Sequence, residues 1–564
     1  MKRISLIIFI GIALAFVLNF QKTSEHRLKL YWFIPDGMRA DPGLFNIYQW
    51  ARDGDLPNIK KLIDRGSYGY SYPNFPSHTP TNFATLLTGA YPDVHGVNDG
   101  PMHALGKPLN SVAVGGFRSV AKKVSPIWKT LEEAGLKVAL ISIPGSTPPE
   151  LNKGVVVRGR WGGWGPDFAA INFETKGDLS RRISQGRGSR LFYFGPQLTE
   201  YLDTSKPDGW QIHPRSYSPP MEATLVGWGA AVHTLIYDST DDGKQNHDRV
   251  AFSLDKQTLF ADLSAGEWSQ WTPITLKWKS ENQSIDVTTN IKAAVIKVGP
   301  GNFYRIRLFY DNLNKHVVFP ESAFTPLHSA TGPMVDFVDN FPAQLVYYEE
   351  DKKIFWDEAT MSFEWHKKAA TAIKEKFTPD VIIHDIYSPN QMLTSRWWMG
   401  YVDPTSTRYG SVSEQERAKL WEEVKDMYKR LDDIIGEILK TADNNTYIVL
   451  SSDHGVVPLN RFVNLNNLFA KKGWLTFKID PKTGEPVVDW TKTKVIYLKM
   501  AHVYINPQGL AGNYQRVSGR EYENLRDEVV ETLRSLQDEN GVKPAADIVK
   551  WEDAKAFMQL DGER

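Results

Sequence analysis

From about residue 29 onward, apolar and polar positions alternate between two periods. Residues 30–34 form a continuous apolar run, the signature of a strand buried on both faces. Leu56-Pro57 opens a helix over 58–64 that Gly66 stops, and 80–88 reads as a helix with Pro at its first position and Gly89 at its end. Residues 127–134 continue the helical pattern, Gly135 ends it, and 136–143 is again a strand. The same grammar resumes much later, with a helix over 361–377, a strand over 381–387 and a strand over 447–451. Between the last two, Ser413 and Glu416 make a capping box, and Leu420, Val424, Met427, Leu431, Ile434, Ile435 and Ile438 share one helical face. Alternating strands and helices predict an α/β fold, a mostly parallel sheet sandwiched by helices.

Two stretches break this pattern. From 196 to 344 the apolar runs are short, at 250–254, 274–278, 293–298, 303–309 and 317–319, and Gly, Asp, Asn and Pro separate them. This predicts a β-rich insertion or cap, leaving 29–195 and 345–564 as the α/β domain. At the start, Lys2 and Arg3 precede an apolar run over 4–20 broken by Ser5, Gly11 and Asn19. Residues 1–28 therefore read as a signal peptide or signal anchor, with the body of the protein outside the cytoplasm, secreted or tethered by that segment alone.

Composition narrows the chemistry. In 564 residues, 66 basic side chains balance 66 acidic ones, which gives no reason to expect a binder of nucleic-acid polymers. There is no cysteine, which excludes disulfides, zinc–thiolate and iron–sulfur sites, cysteine nucleophiles, residues made by modifying cysteine, and a lipoprotein anchor. Catalysis here would rest on oxygen and imidazole.

Three places could supply it. Asp36 lies just past the carboxyl end of the first predicted strand, where open α/β sheets bind ligands; an Asp-Gly there is also an ordinary turn. Thr79 precedes Pro80 as the natural N-cap of its helix, among unpaired backbone N–H groups that favour an anion. That place suits a capping hydroxyl, and equally an alkoxide nucleophile activated by a metal. Asp453 and His454 follow the strand over 447–451, and carboxylate with imidazole suits zinc, manganese or iron.

Taken together, these segments resemble the alkaline phosphatase superfamily, specifically the type I phosphodiesterase/nucleotide pyrophosphatase family. The resemblance runs from about Leu30 to the C-terminus, interrupted by the insertion. Its markers are Asp36-Gly37, Thr79-Pro80-Thr81-Asn82 running to Thr88-Gly89, Tyr91-Pro92-Asp93-Val94-His95-Gly96, and Ser452-Asp453-His454-Gly455. Ile127-Trp128-Lys129-Thr130-Leu131 and Asp489-Trp490-Thr491-Lys492-Thr493 add supporting matches. The resemblance implies an alkaline-phosphatase-like fold and a metal-dependent phosphoric ester hydrolase acting on a small phosphate ester. Thr79 would be the nucleophile and would pass through a phosphothreonine. Asp36, Thr79, Asp453 and His454 would hold one divalent ion, zinc first and manganese next, and Asn98 would bind a phosphoryl oxygen.

The second metal of that family is where the chain departs. Asn390 falls where the pattern has Asp, and Thr394 where it has His. The second site is lost, rebuilt from Asn390 and His502 with neighbours, or filled by a hard cation content with amide oxygen. A different class of reading follows from the same pair: a non-catalytic or single-metal relative serving as an envelope binding protein. Three further features carry less. The tryptophans at 161–164 and 397–398 read as core or lid packing, the acidic stretch 238–248 as a solvated loop, and the charge run 349–353 as a polar turn.

Overall fold

A computed structural model describes residues 29–175, 199–280, 283–299, 303–336, 342–481, 486–499 and 502–560. The expected leader lies outside these residues. Among the described residues no helix is long and apolar enough to cross a membrane.

The main sheet has six strands: β1 (Lys29–Pro35), β2 (Val138–Ile141), β3 (Val155–Val157), β4 (Val318–Phe319), β5 (Val381–Ile386) and β6 (Thr446–Leu450), in the order β4-β3-β2-β5-β1-β6. All neighbours pair parallel except β4, which runs antiparallel on the edge of β3. The period of two along each strand divides its side chains between two cores. Tyr31 and Phe33 of β1, Ala139 and Ile141 of β2 and Ile382 and Ile386 of β5 pack toward helices Asp351–Phe377 and Glu414–Thr441. Ile34, Val138, Leu140, Val381 and Ile383 face helices Thr79–Thr88 and Ile127–Glu133. Helices therefore cover both faces, which is why the strands read as unbroken apolar runs. The fold class expected from the sequence is the one observed.

The β-rich texture becomes two further sheets. One is a four-stranded antiparallel meander from Met221–Gly227 to Leu259–Leu263. The other has five strands in the spatial order Thr272–Lys279, Ser284–Lys297, Arg305–Tyr310, Ile171–Glu174, Thr199–Tyr201. A shared apolar core including Phe173, Leu225, Phe252, Leu276 and Leu308 joins them. Ile171–Glu174 joins this sheet from ahead of the boundary at 196, while Val318–Phe319 returns to the main sheet before 344.

Two local expectations shift. Helix Thr79–Thr88 takes His78 as its N-cap, so Thr79 is the first helical residue, one place later than the capping hydroxyl expected of it. Helix Asp351–Phe377 starts ten residues earlier than its apolar period, so part of the charge run 349–353 is helix and not a polar turn. The physical reason is a buried partner: Asp351 is fully buried and pairs with Arg305 Nη1 at 2.7 Å.

Candidate active site

The carboxyl ends of β1, β5 and β6, adjacent in the sheet, converge on one buried polar cluster. Asp36 follows β1 directly and its backbone N–H donates to the Ile386 carbonyl at 3.0 Å, which ties it to the end of β5. Gly37 then turns the chain at φ +65°, and a Cβ there would meet Asn390 Cβ at 2.9 Å and Asn390 Cα at 3.0 Å. Only glycine provides both that backbone conformation and that close approach. The turn is locked from the β6 side. The Gly37 N–H donates to Asp453 Oδ1 at 3.0 Å, the Met38 N–H donates to Ser452 Oγ at 3.0 Å, and the Ser452 hydroxyl donates to the Pro35 carbonyl at 2.8 Å.

Three candidate ligands meet here. Atoms of Asp36, Asp453 and His454 lie within 4.8 Å of one another, the sole such group of three among the described residues. His454 Nδ1 donates to the Gly455 carbonyl at 2.8 Å, which leaves the Nε2 lone pair facing the cluster. That nitrogen is 3.5 Å from Asp36 Oδ1, 3.4 Å from Asp453 Oδ2 and 3.2 Å from Thr79 Oγ1. Asp453 Oδ2 is buried and accepts no hydrogen bond. Burial and then the neighbouring Asp36 push the Asp453 carboxyl up to about 7. Burial disfavours the charged form of His454, but Asp453 and then Asp36 outweigh it and raise its pKa. An orphaned carboxylate oxygen, a second carboxylate and an imidazole lone pair converging on one point fit a divalent cation, and the O₂N donor set suits zinc or manganese.

Thr79 reaches this point from the first turn of its helix, nearly fully buried. Asn82 holds the approach to it: its amide donates to the Pro76 and His78 carbonyls at 3.1 Å each, and its oxygen accepts the Asn74 N–H at 2.7 Å. His78, next to Thr79, pairs through Nδ1 with Asp99 Oδ1 at 2.7 Å. Asn98 is buried beside Asp99, with its backbone N–H toward Met102 Sδ at 3.3 Å.

One side of the cluster holds a residue that the sequence did not point to. Arg160, fully buried, brings Nη2 2.8 Å from Asp36 Oδ2 and 2.5 Å from Asp385 Oδ2. Neither Asp385 oxygen accepts an aligned hydrogen bond, so its partner is a charge and not a directed donor. Burial opposes the guanidinium charge, but Asp385 and Asp36 outweigh it and keep Arg160 protonated. Asp385 is itself raised by burial, with Arg160 as the largest influence pulling it back. His384, one residue earlier on β5, faces the other way and bonds Tyr31 Oη and His366 Nδ1 at 2.8 Å each.

A comparison with known families decides where this architecture belongs. The family described as type I phosphodiesterase / nucleotide pyrophosphatase matches residues 32–219 and 281–555. The chain belongs to that family. Asp36, Thr79, Asp453 and His454 all fall inside the matched ranges, while all four strands of the meander lie between them. Among individual relatives, a venom phosphodiesterase of Naja atra is 34% identical over 120 residues, 21% of this chain and 14% of that protein. Ectonucleotide pyrophosphatase/phosphodiesterase family member 1 of Homo sapiens is 32% identical over 117 residues, 20% of this chain and 12% of that protein. The matched stretch thus spans about one seventh of these relatives or less. A phosphonoacetate hydrolase from Sinorhizobium meliloti 1021 superposes with a TM-score of 0.38 at 13% identity, over 95% of this chain and 78% of that one.

Within this family member, the fold brings Asp36, Thr79, Asp453 and His454 together and sets Asn390 against them. Asn390 donates its amide nitrogen to Asp36 Oδ1 at 2.8 Å. His502 is not in the cluster; its charged neighbours are Asp99 and His103, and burial lowers its pKa. The tryptophans pack as expected: Trp397 and Trp398 are buried, and Trp161 sits edge-on to Phe117 and Tyr387. The acidic stretch is tied within the insertion, with Asp238 bound by the Ser218 hydroxyl at 2.6 Å. Arg160 could have been suspected from one signal, its place just past the carboxyl end of a Val-rich strand run.

Proposed function

We propose that this protein is an extracytoplasmic, divalent-metal-dependent phosphoric ester hydrolase of the phosphodiesterase or nucleotide pyrophosphatase type, acting through a phosphothreonine. The observation that carries this reading is the buried Thr79 hydroxyl, 3.2 Å from His454 Nε2 and at a helix N-terminus, facing a cluster of two carboxylates and an imidazole. The names of the relatives, venom phosphodiesterase and ectonucleotide pyrophosphatase/phosphodiesterase, favour a small phosphodiester or nucleotide-like substrate. The balanced charge offers nothing for a nucleic-acid polymer.

A divalent ion held by Asp36, Asp453, His454 and the Thr79 oxygen supplies Lewis-acid stabilisation of the alkoxide and of charge developing on the phosphoryl group. Thr79 loses its proton to solvent and Oγ1 attacks phosphorus in line. The new O–P bond forms as the ester P–O bond breaks, and the departing alkoxide takes a proton from water. Asn98 donates to a non-bridging oxygen, and the first-turn amides of helix Thr79–Thr88 favour the same negative charge. Water then attacks the phosphothreonine, its P–Oγ1 bond breaks, and Thr79 regains a proton as phosphate or phosphomonoester leaves.

The test uses the full-length protein with zinc or manganese on aryl phosphodiester and phosphomonoester substrates. Thr79→Ala should lower kcat by roughly a thousandfold, about 4 kcal/mol in the barrier, while the three remaining ligands keep metal bound. Acid quenching during turnover should trap a phosphoryl group on the Thr79 peptide by mass spectrometry. Absence of any metal-stimulated, Thr79-dependent turnover would leave the other reading, a non-catalytic envelope binding protein. Residues 1–28 fused to a reporter that is active only outside the cytoplasm test export.

A further inference from the structure

The second cation site of this family would be built from Asn390, Thr394 and His502, and these residues do not fit a metal. Asn390 points a donor nitrogen, not its oxygen, at Asp36 Oδ1, and the Thr394 hydroxyl donates to the Asn390 carbonyl at 2.7 Å. Asn390 and Thr394 offer an amide and a hydroxyl where the family pattern has a carboxylate and an imidazole. His502 is not in the Asp36–Asp453–His454 group, and the charges that act on it are Asp99 and His103.

The buried cation paired with Asp36 is Arg160. Its Nη2 is within 2.8 Å of Asp36 Oδ2 and 2.5 Å of Asp385 Oδ2, and the residue is 1% exposed. The guanidinium lies 4.3 Å from the ring centroid of Tyr387 and 5.8 Å from that of Phe83, one helical turn after Thr79. Both rings lie within cation–π reach of the charge.

We propose that Arg160 is a built-in second cation: the site takes one divalent ion per chain, and a guanidinium that no chelator removes bridges Asp36 and Asp385 in place of another metal. The inference rests on the metallohydrolase reading of the Asp36–Asp453–His454 cluster. Arg160 acts here as a positioning residue, holding the Asp36 carboxylate through Oδ2 while Oδ1 remains on the metal side.

The experiment counts zinc. Full-length wild-type protein titrated with zinc, read by native mass spectrometry and located by anomalous diffraction, should saturate at one ion per chain. That ion should vanish in His454→Ala and persist in Asp385→Asn. A second ion that Asp385→Asn removes overturns the proposal and leaves the metallohydrolase reading standing; no ion at saturating zinc sinks that reading and this inference with it. The pairing itself is read by thermal denaturation. Arg160→Met should lower Tm by stranding Asp385, and Arg160→Met with Asp385→Asn should recover most of the loss. A double variant no more stable than Arg160→Met alone overturns the bridge, and the wild-type zinc count stands whatever the single variant does.

Discussion

At the scale of single residues, the site is set by side chains whose backbone position decides their partners. Gly37 is the sharpest case, because its φ of +65° and its contact with Asn390 act on the same turn that presents Asp36. Gly37→Ala should destabilise the protein by about 1–3 kcal/mol and weaken metal binding, since the strain is relieved only by moving Asp36 or Asn390. Urea denaturation and a zinc titration on the same variant check both effects; loss of stability with unchanged zinc affinity would mean the turn yields elsewhere. The places of Asp36, Asp453 and His454 past strand ends and of Thr79 at a helix start were legible in the sequence, while their grouping came from the family resemblance. Arg160 was not. Its place past a strand end is a weak signal, and what makes it matter is a pair of carboxylates on two other strands.

At the scale of elements, helix Thr79–Thr88 is anchored by a neutral histidine. His95 Nδ1 accepts the Val97 N–H at 3.0 Å, so its Nε2–H donates to Thr85 Oγ1 at 3.0 Å, which joins helix Thr79–Thr88 to the segment leading to Asn98. Burial lowers the His95 pKa from 6.5 to about 4. Between those values the unfolded chain binds more protons than the native one, so this group's contribution is complete above pH 6.5 and lost as pH falls toward 4. Stability should therefore drop between pH 7.5 and pH 5, by about 2 kcal/mol from this residue, and His95→Gln should flatten the slope. Equal slopes in both proteins would assign the acid sensitivity elsewhere. Element positions were legible wherever apolar period or capping was local, as in the Ser413–Glu416 capping box that opens helix Glu414–Thr441. They were not legible where a distant partner decides, as at the start of helix Asp351–Phe377, where burial of Asp351 depends on Arg305.

At the scale of the whole molecule, helix Asp351–Phe377 is shared by both halves. Its apolar face packs under the main sheet through Ile354, Phe355, Ala359 and Phe363, while its acidic residues receive arginines from strand Arg305–Tyr310 of the insertion. Arg307, fully buried, pairs through Nε with Glu358, and donates from Nη1 to Asn172 Oδ1 at 2.7 Å and to Gln344 Oε1 at 2.9 Å. Breaking one side of such a pair leaves an unmatched buried charge, so Arg307→Met should cost about 3–5 kcal/mol. Arg307→Met with Glu358→Leu should recover most of it, because the stranded carboxylate is then gone. Calorimetry should show one cooperative transition moving down in Arg307→Met, as expected if the insertion is welded to the α/β part and cannot melt alone. Two resolved transitions, only one of them shifted, would show instead that the insertion folds as a unit of its own, and the arginines would then orient it against helix Asp351–Phe377 without stabilising the main sheet.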